Sequence, residues 1–286
     1  MQTLRLCVLA SSSSGNCSVL AMDTPRGLRM LLIDAGLTPR RTECLLAGLG
    51  LDLSMIDGVV LTHLDQDHWQ PTWGSRLPGS SRLWIHRRHR RRAERDCPAG
   101  RCIELFGDEA PFEAMPGVIA SSCLLSHDET GVACLKFSTS TSALGYATDV
   151  GSPSQAMLDH LRGVGTLAIE SNYCPTLQVA SDRPAFLINR IMGGGGHLSN
   201  HQSAQVVRDL GHTGDVVLLH LSKQCNSPER ALSAHAPEAS RTPVPRVIVA
   251  SPDAPTDWIP VASASAVAAA TERPQPVRER QRTLFS

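Results

Sequence analysis

A short segment of the chain holds four side chains of the kinds that bind metal ions, directly after an apolar stretch typical of a buried strand. Val59, Val60 and Leu61 form the stretch, and the four are His63, Asp65, Asp67 and His68. Imidazole and carboxylate groups are ligands for zinc, manganese and iron. Because side chains alternate along an extended segment, His63, Asp65 and Asp67 should share one side, and the chain must turn for His68 to join them. The segment predicts a metal-binding loop that takes further ligands from elsewhere.

Several later strand-like segments end in side chains of the same types. Residues 124–126, 144–148, 167–169 and 216–219 precede His127, Asp149, Glu170 and His220, and the glycines 193–196 precede His197. A single His or Asp after a strand carries little information. Alternation of strands with helices along the chain indicates an α/β protein.

Four segments together resemble a known family. They are T-H-L-D-Q-D-H at 62–68, L-A-S-S-S-S-G-N-C-S at 9–18, G-H-L-S-N at 196–200 and H-L-S-K at 220–223. The first resembles the H-x-H-x-D-H signature of the metallo-β-lactamase superfamily, with Asp65 in place of the second histidine. The others resemble the WalJ/YycJ-like branch, whose members resemble exonucleases. The resemblance spans about residues 4 to 259.

This resemblance implies a ligand set for two divalent ions, zinc or manganese. It assigns His63, Asp65 and His127 to one ion, Asp67, His68 and His220 to the other, and Asp149 to a position between them. Asp34 would orient the metal-binding loop. Asp67 would also accept the proton of the attacking water. By likeness to ribonuclease Z, Glu170 and His197 would form a proton-handling pair beside the leaving group. The alternative is that these two residues only brace the loop.

The resemblance also implies a four-layer αβ/βα sandwich, and the chain is read as one domain followed by a tail. Residues 1–261 would form the hydrolase domain, and 262–286 a flexible tail rich in Ala, Ser, Pro, Glu and Arg. Only 71 positions separate Asp149 from His220. That is too few for the nucleic-acid-clamping domain inserted there in the β-CASP nucleases. We also expect helices over 38–49 and from about His201, the latter capped by Asn200, and a glycine run that adds loop freedom.

Residues 82–101 form a basic cluster soon after the metal-binding loop. It contains Arg87, Arg88, Arg90, Arg91 and Arg92, with Glu94 and Asp96 as its only acidic residues. The cluster predicts either a solvated helical face or a groove that follows a phosphate backbone. Few aromatic residues lie among the arginines, so the cluster gives no sign of base stacking.

The last residues of the tail are Gln281, Arg282, Thr283, Leu284, Phe285 and Ser286. This segment resembles the Q-x-x-L-F peptide by which bacterial replication and repair proteins dock on the sliding clamp. Leu284 and Phe285 would fill an apolar pocket of the clamp, and Gln281 would form a hydrogen bond at its rim. The alternative is an accidental apolar end to a polar tail.

Composition restricts the setting in which the protein acts. The 27 basic residues balance the 27 acidic ones, and nine cysteines include no C-x-x-C pair. With no basic leader and no apolar run of membrane-spanning length, we expect a cytoplasmic protein with reduced cysteines.

The expected activity is metal-dependent hydrolysis of a phosphodiester, most simply by a DNA exonuclease acting in replication or repair. RNA or small phosphodiesters are alternative substrates for the same fold. A non-catalytic nucleic-acid-binding or regulatory protein, with a metal site weakened by Asp65, is the alternative of another class.

Overall fold

Two mixed β-sheets packed face to face form the centre of the molecule. The computed structural model describes residues 3–25, 27–97, 103–236 and 245–263. The first sheet contains β1 (Leu4–Ala10), β2 (Cys17–Thr24), β3 (Gly27–Ile33), β4 (Ile56–Leu61), β5 (Arg82–His86), β6 (Ile103–Phe106) and the last strand, β14 (Ile259–Pro260). The second contains β7 (Phe112–Met115), β8 (Val118–Leu125), β9 (Val132–Ser138), β10 (Ala143–Ala147), β11 (Thr166–Glu170), β12 (Asp215–Leu219) and β13 (Val247–Val249).

Each sheet combines an antiparallel part with a parallel part. The strand orders are β14-β1-β2-β3-β4-β5-β6 and β13-β12-β11-β10-β9-β8-β7. In the first sheet β1, β2 and β3 pair antiparallel, and β3 to β6 pair parallel. In the second sheet β7 to β10 pair antiparallel, and β10 to β13 pair parallel. The carboxyl ends of β4, β10, β11 and β12 therefore become available for one site.

Helices cover the outer face of both sheets. They are α1 (Pro39–Gly48), α2 (Arg90–Asp96), α3 (Gln155–Leu161), α4 (Pro175–Val179), α5 (Ala185–Met192), α6 (Asn200–Asp209) and α7 (Pro228–Ala234). Short 3₁₀ turns occupy Leu53–Met55, Pro71–Ser75 and Arg87–His89. No helix in the described part of the chain is long and apolar enough to span a membrane.

Three apolar clusters hold these layers together, which confirms the predicted four-layer α/β sandwich. The central cluster lies between the sheets and includes Val8 from β1 and Tyr146 from β10. The other two lie between each sheet and its helices, with Leu46 of α1 in one and Leu161 of α3 in the other. Strands buried on both faces read as continuous apolar runs, which explains their clear signal in the sequence.

The helix α6 begins one residue earlier than expected. Its N-cap is Ser199, not Asn200, because the Ser199 hydroxyl accepts a hydrogen bond from the Gln202 amide at 3.2 Å. The Gln202 side chain in turn accepts from the Ser199 amide at 2.9 Å, which completes a capping box. Asn200 instead accepts a hydrogen bond from the Ser171 hydroxyl at 2.7 Å.

The predicted boundary between domain and tail falls slightly early. The Ala262 amide still donates a hydrogen bond to the Thr166 hydroxyl at 3.0 Å, and Ser263 bridges to Ser142 beside the second sheet. The tail residues Gln281, Leu284 and Phe285 lie outside the described residues.

The segment after β3 lies directly against the predicted metal-binding loop. The Ala35 amide donates to the His68 carbonyl at 2.8 Å, and the Gly36 amide to the Asn16 carbonyl at 2.9 Å. A Cβ atom on Gly36 would overlap the carbonyl group of Asp67. Because Gly36 has no side chain, the metal-binding loop can pack directly against its backbone.

We predict that Gly36→Ala destabilises the fold by about 1 to 3 kcal/mol and weakens metal binding, because the loop must move away. Gly48→Ala is the matched control, since a Cβ there meets no atom within 4 Å. In the last turn of α1 it should stabilise the protein by up to about 1 kcal/mol. Urea unfolding and metal content per chain measure both effects. Equal stability of the two variants would contradict this account of Gly36.

Candidate metal centre

The predicted ligands converge at one edge of the two sheets. The strand β4 ends at Leu61, and the chain then turns so that the His68 amide donates to the Asp65 carbonyl at 2.8 Å. From the second sheet, His127 follows β8, Asp149 follows β10, Glu170 ends β11 and His220 follows β12. Carboxyl ends of parallel strands are the usual place for ligands in α/β sheets.

Four overlapping groups of side chains offer ligand atoms within 4.8 Å of one another. They are His63 with Asp65 and His127; Asp67 with His68 and His220; His63 with His68 and Asp149; and Asp149 with Glu170, His197 and His220. The first two groups are the two sets assigned from the sequence. Asp149 occurs in both remaining groups, so its carboxylate lies between the two sets.

The short distances in the site are centred on Asp149. One carboxylate oxygen lies 2.8 Å from His68 Nε2, and the other lies 3.0 Å from His220 Nδ1 and 3.2 Å from His197 Nδ1. His220 Nε2 lies 3.4 Å from Asp67 Oδ2 on the opposite side of its ring. Both ring nitrogens of His220 therefore face carboxylates.

The donor set suits divalent metal ions. Five imidazoles and several carboxylates face one another, and this mixture fits zinc or manganese better than a purely oxygen-ligated ion. His220 Nε2 is buried and has no hydrogen-bond partner among the described residues. A buried ring nitrogen that faces a carboxylate without donating to it is what a metal ligand requires.

Charge in the site is set by burial and by neighbouring opposite charges. Burial lowers the pKa of His63 well below its usual value, and the charge of His68 lowers it further. Burial also lowers the pKa of His68, but the negative charges of Asp149 and Asp34 outweigh this effect and hold the pKa well above its usual value. For Asp149 burial favours the neutral acid, yet His220 and His68 keep its pKa well below the usual value. The protonation state of each of these buried side chains therefore depends on the charges of the others.

Glu170 braces the site from below. Its Oε2 accepts from the amides of Val150 and Leu198, both at 3.0 Å. Its Oε1 lies 2.8 Å from His197 Nδ1 and 3.0 Å from His220 Nδ1. The Glu170 side chain is completely buried, so it positions these groups and does not reach the cavity. Burial lowers the pKa of His197, but Glu170 and Asp149 more than reverse this and raise it to about 9.

Asp65, which stands where the family signature has a histidine, is paired with an arginine. Its Oδ1 accepts from Arg92 Nη1 at 2.7 Å, and its Oδ2 lies 3.8 Å from His63 Nε2. Arg92 lies on α2 and also contacts Asp96 at 3.4 Å. One oxygen of Asp65 thus remains directed at the group formed with His63 and His127. The positive charge of Arg92 offsets the extra negative charge that Asp65 brings.

The basic cluster does not form one continuous helical face. Arg82 lies in β5, Arg87 and Arg88 in a 3₁₀ turn, and Arg90 to Arg92 in α2. Arg87 pairs with Glu109 at 2.9 Å and Arg90 with Glu94 at 2.8 Å. With Arg92 bound to Asp65, three of the five predicted phosphate-binding arginines already have carboxylate partners.

Three residues that support the site were not assigned from the sequence. The Asn16 amide group lies 3.0 Å from His68 Nε2 and 3.3 Å from the Asp67 carbonyl. The Ser11 hydroxyl accepts from the His220 amide at 2.8 Å, and the Asn172 side chain donates to the His220 carbonyl at 2.7 Å. These contacts span up to 209 positions. The serine-rich turn that contains Ser11 and Asn16 was the available signal.

The glycine run before His197 has a different role from the expected loop freedom. A Cβ on Gly195 would lie 2.8 Å from the His127 carbonyl oxygen, and one on Gly196 would overlap the backbone of α5. The Gly196 carbonyl also accepts from His127 Nδ1 at 3.0 Å. These glycines permit close packing of α5 against the His127 loop.

Comparison with known proteins agrees with the fold and the site. Residues 13–69, which include the serine-rich turn and the metal-binding loop, match the family model described as the Metallo-beta-lactamase superfamily. The fold is similar to that of the metallo-beta-lactamase fold protein YhfI from Bacillus subtilis, with a TM-score of 0.65 and 12% identity over 89% of this chain and 99% of that one. The structure thus has the metallo-β-lactamase fold, and these similarities support a metal-dependent hydrolase.

Within this class the chain is similar to two curated bacterial exodeoxyribonucleases. It is 26% identical over 237 residues to exodeoxyribonuclease YycJ of Bacillus anthracis, covering 80% of this chain and 86% of the relative. It is 27% identical over 232 residues to exodeoxyribonuclease WalJ of Streptococcus pneumoniae, covering 78% and 84%. The resemblance inferred from the sequence motifs is thereby confirmed.

Asp34 links the first sheet to the centre, and its replacement tests that link. Its carboxylate accepts from the Thr62 amide at 2.8 Å and lies 2.8 Å from His68 Nδ1. Asp34→Asn keeps the shape and tolerates the φ of 60°, but it cannot satisfy all these donors. We predict a loss of metal affinity of about 10- to 100-fold, measured by competition with a chelator. Asp23→Asn, on the exposed end of β2, should leave the affinity unchanged. Wild-type affinity in Asp34→Asn would mean that Asp34 does not orient His68.

Proposed function

We propose that the protein is an exodeoxyribonuclease that hydrolyses DNA phosphodiesters with two divalent metal ions. The observation that carries this proposal is the pair of ligand groups joined by Asp149 at the floor of an open cavity. The similarity to exodeoxyribonucleases over about four fifths of the chain supports DNA as the substrate. Such an enzyme would act on chromosomal DNA in the cytoplasm, during replication or repair.

We assign the metal ligands as two sets with a shared carboxylate. His63, Asp65 and His127 would hold one ion, Asp67, His68 and His220 the other, and Asp149 would contact both. Zinc or manganese bound there would polarise the phosphodiester and lower the pKa of a water molecule. Asp34, Asn16 and Asn172 keep the ligands oriented through the hydrogen bonds described above.

Proton transfer is the task of the chain's own side chains. Asp67 is partly exposed to the cavity, and its carboxylate can accept the proton of the attacking water. His197 lines the same cavity, and its Nδ1 is fixed by Glu170 at 2.8 Å. Nε2 of His197 therefore remains for donation to the leaving oxygen. Glu170 acts only through His197, as a positioning residue.

The function is tested with end-labelled single- and double-stranded DNA and RNA, incubated with manganese or zinc. Wild-type protein should shorten DNA progressively from one end. Asp67→Ala and His68→Ala should each abolish this without unfolding the protein, because both residues lie in a loop after β4. Retained DNA hydrolysis in both variants would exclude the two-metal arrangement. Cleavage of RNA alone would favour the alternative of a ribonuclease.

The role of His197 is separable from that of the metal ligands. His197→Asn should slow DNA hydrolysis by about 10²- to 10⁴-fold, because the deoxyribose leaving group needs a proton. Hydrolysis of bis(p-nitrophenyl) phosphate, whose leaving group is stable without one, should change by less than threefold. Equal losses on the two substrates would instead make His197 part of the metal centre.

Two alternative functions make different predictions in the same assays. A small-molecule phosphodiesterase would cleave the nitrophenyl diester but no strand of DNA. A non-catalytic binding protein would hold fewer than one metal ion per chain after reconstitution, because Asp65 would have weakened the site. The pairing of Asp65 with Arg92 favours an intact metal site, since it removes the surplus negative charge.

Within the basic cluster, Arg88 and Arg91 are the best candidates for contact with DNA phosphates. Both are exposed, and neither forms an ion pair with a carboxylate among the described residues. Arg87, Arg90 and Arg92 would contribute only after leaving their present partners. The proposed phosphate-binding groove at residues 87–92 therefore depends mainly on Arg88 and Arg91.

We further propose that the tail docks on the bacterial sliding clamp through Gln281, Leu284 and Phe285. Burial of Leu284 and Phe285 would contribute about 1.5 to 3 kcal/mol each, partly offset by ordering of the tail. The expected affinity is on the order of micromolar. Fluorescence anisotropy of a peptide covering residues 276–286, titrated with the clamp, tests this. Binding that survives alanine at both apolar positions would reject it.

A further inference from the structure

One wall of the active-site cavity is made by a segment without any metal ligand. The cavity has a volume of about 480 Å³ and holds His63, Asp67 and Asp149 on one side. The other side is lined by Arg183, Leu187, Arg190 and Ile191, from α5 and the residues before it. A substrate bound in this cavity would contact these side chains as well as the candidate metal ligands.

The two arginines of this wall carry charge that no carboxylate neutralises. Arg183 donates to the side-chain oxygens of Gln224 at 3.0 Å and Gln178 at 3.2 Å, both uncharged groups. Arg190 is exposed, and the described residues include no ion pair for it. The ligand groups opposite hold Asp65, Asp67 and Asp149. A polyanionic substrate is attracted to such a wall and is thereby held over the metal centre.

The helix α5 also carries an exposed aromatic ring beside this wall, although the ring is not among the groups that line the cavity. Phe186 is 74% exposed, the highest fraction among the large apolar side chains that the structure describes as exposed, and the only aromatic one of them. It lies four residues before Arg190 on α5, so the two side chains are neighbours on the helix surface. A single exposed apolar side chain needs no partner in itself, so what makes Phe186 a candidate contact is its position one turn from Arg190.

The packing of α5 leaves this surface free while fixing its position. None of its eight residues is buried, so the helix contributes its side chains to the cavity and its rim instead of to the core. Its last turn is held to the site, because the His197 amide donates to the Ile191 carbonyl at 3.0 Å. The adjoining Gly196 accepts from His127 at 3.0 Å. The wall and the metal centre therefore keep a defined separation.

We propose that this wall binds the end of a single DNA strand, with Arg183 and Arg190 on the phosphates and Phe186 stacked on a base. The inference rests on the proposed exonuclease activity and adds the residues that position the strand. Stacking on an aromatic ring and contact with phosphates are both tolerant of sequence. An enzyme that shortens DNA one nucleotide after another requires that tolerance. The wall would hold each new end in the same register over the metal centre.

The experiment compares wall variants with matched controls on three substrates. The variants are Arg183→Gln with Arg190→Gln, and Phe186→Ala. Arg162→Gln controls for loss of an exposed arginine, since Arg162 pairs with Asp159 on α3. Leu232→Ala controls for loss of an exposed apolar side chain on α7. The substrates are single-stranded DNA, the same strand with abasic sites in its last three positions, and bis(p-nitrophenyl) phosphate.

Replacing Arg183 and Arg190 together by Gln should lower kcat/KM for DNA at least tenfold. It should also flatten the dependence of log kcat/KM on log salt by about 1.4, the value for two phosphate contacts on a single strand. Phe186→Ala should lower kcat/KM for normal DNA by roughly 5- to 150-fold, the range for loss of one stacked base. On the abasic strand the kcat/KM of Phe186→Ala should equal that of wild type. On normal DNA, Phe186→Trp should restore kcat/KM to the wild-type value. The two controls should hydrolyse the nitrophenyl diester within twofold of wild type, and each wall variant should lose less on this small, singly charged diester than on DNA.

The outcomes separate this inference from the function on which it rests. If wild type hydrolyses the nitrophenyl diester but neither binds nor shortens DNA, both the proposed function and the proposed strand-binding role of the wall are rejected. If wild type shortens DNA and the wall variants match their controls, only the strand-binding role of the wall is rejected. A Phe186→Ala defect of equal size on normal and abasic strands would overturn base stacking.

Discussion

The imidazole of His68 is held between two buried carboxylates, and the centre depends on this placement. Its Nδ1 lies 2.8 Å from Asp34 and its Nε2 lies 2.8 Å from Asp149. Asp34 follows β3 in the first sheet, and Asp149 follows β10 in the second. The two sheets are therefore joined by these polar contacts as well as by the apolar cluster between them.

The backbone at these positions is unusual as well. Asp34, Asp149 and His220 are the non-glycine residues with positive φ in the described part of the chain, at 60°, 54° and 56°. Asp34 and His220 directly follow β3 and β12, Asp149 lies two residues after the end of β10, and each turns its side chain into the site. This conformation is sparsely populated for residues with a side chain and costs about 1 to 3 kcal/mol. Hydrogen bonds such as that from the His220 amide to the Ser11 hydroxyl hold the strained backbone in place.

Much of the fold, and the convergence of the candidate metal ligands, could be predicted from the sequence for a local reason. Strands buried on both faces give continuous apolar runs, and a polar residue at their carboxyl end is conspicuous, as with Asp149 and His220. What the sequence left undetermined depends on contacts between distant segments. The pairing of Arg92 with Asp65 and the contact of Asn16 with His68 join residues 27 and 52 positions apart. The Ser199 cap was readable from its S-x-x-Q spacing, whereas the role of Gly195 and Gly196 depends on neighbours absent from any local pattern.

The position of β14 in the first sheet has a consequence for synthesis on the ribosome. This strand pairs with β1, and the Val261 amide donates to the Leu4 carbonyl at 2.8 Å, so the first strand to leave the ribosome waits for nearly the last. Asp149 and His220 leave the ribosome before β14, but until β14 pairs, the sheet that carries the loop with His63 and His68 lacks its edge strand. Long-range pairings of this kind close late in folding. The nascent chain would therefore complete the sheet beneath its candidate metal centre late in synthesis.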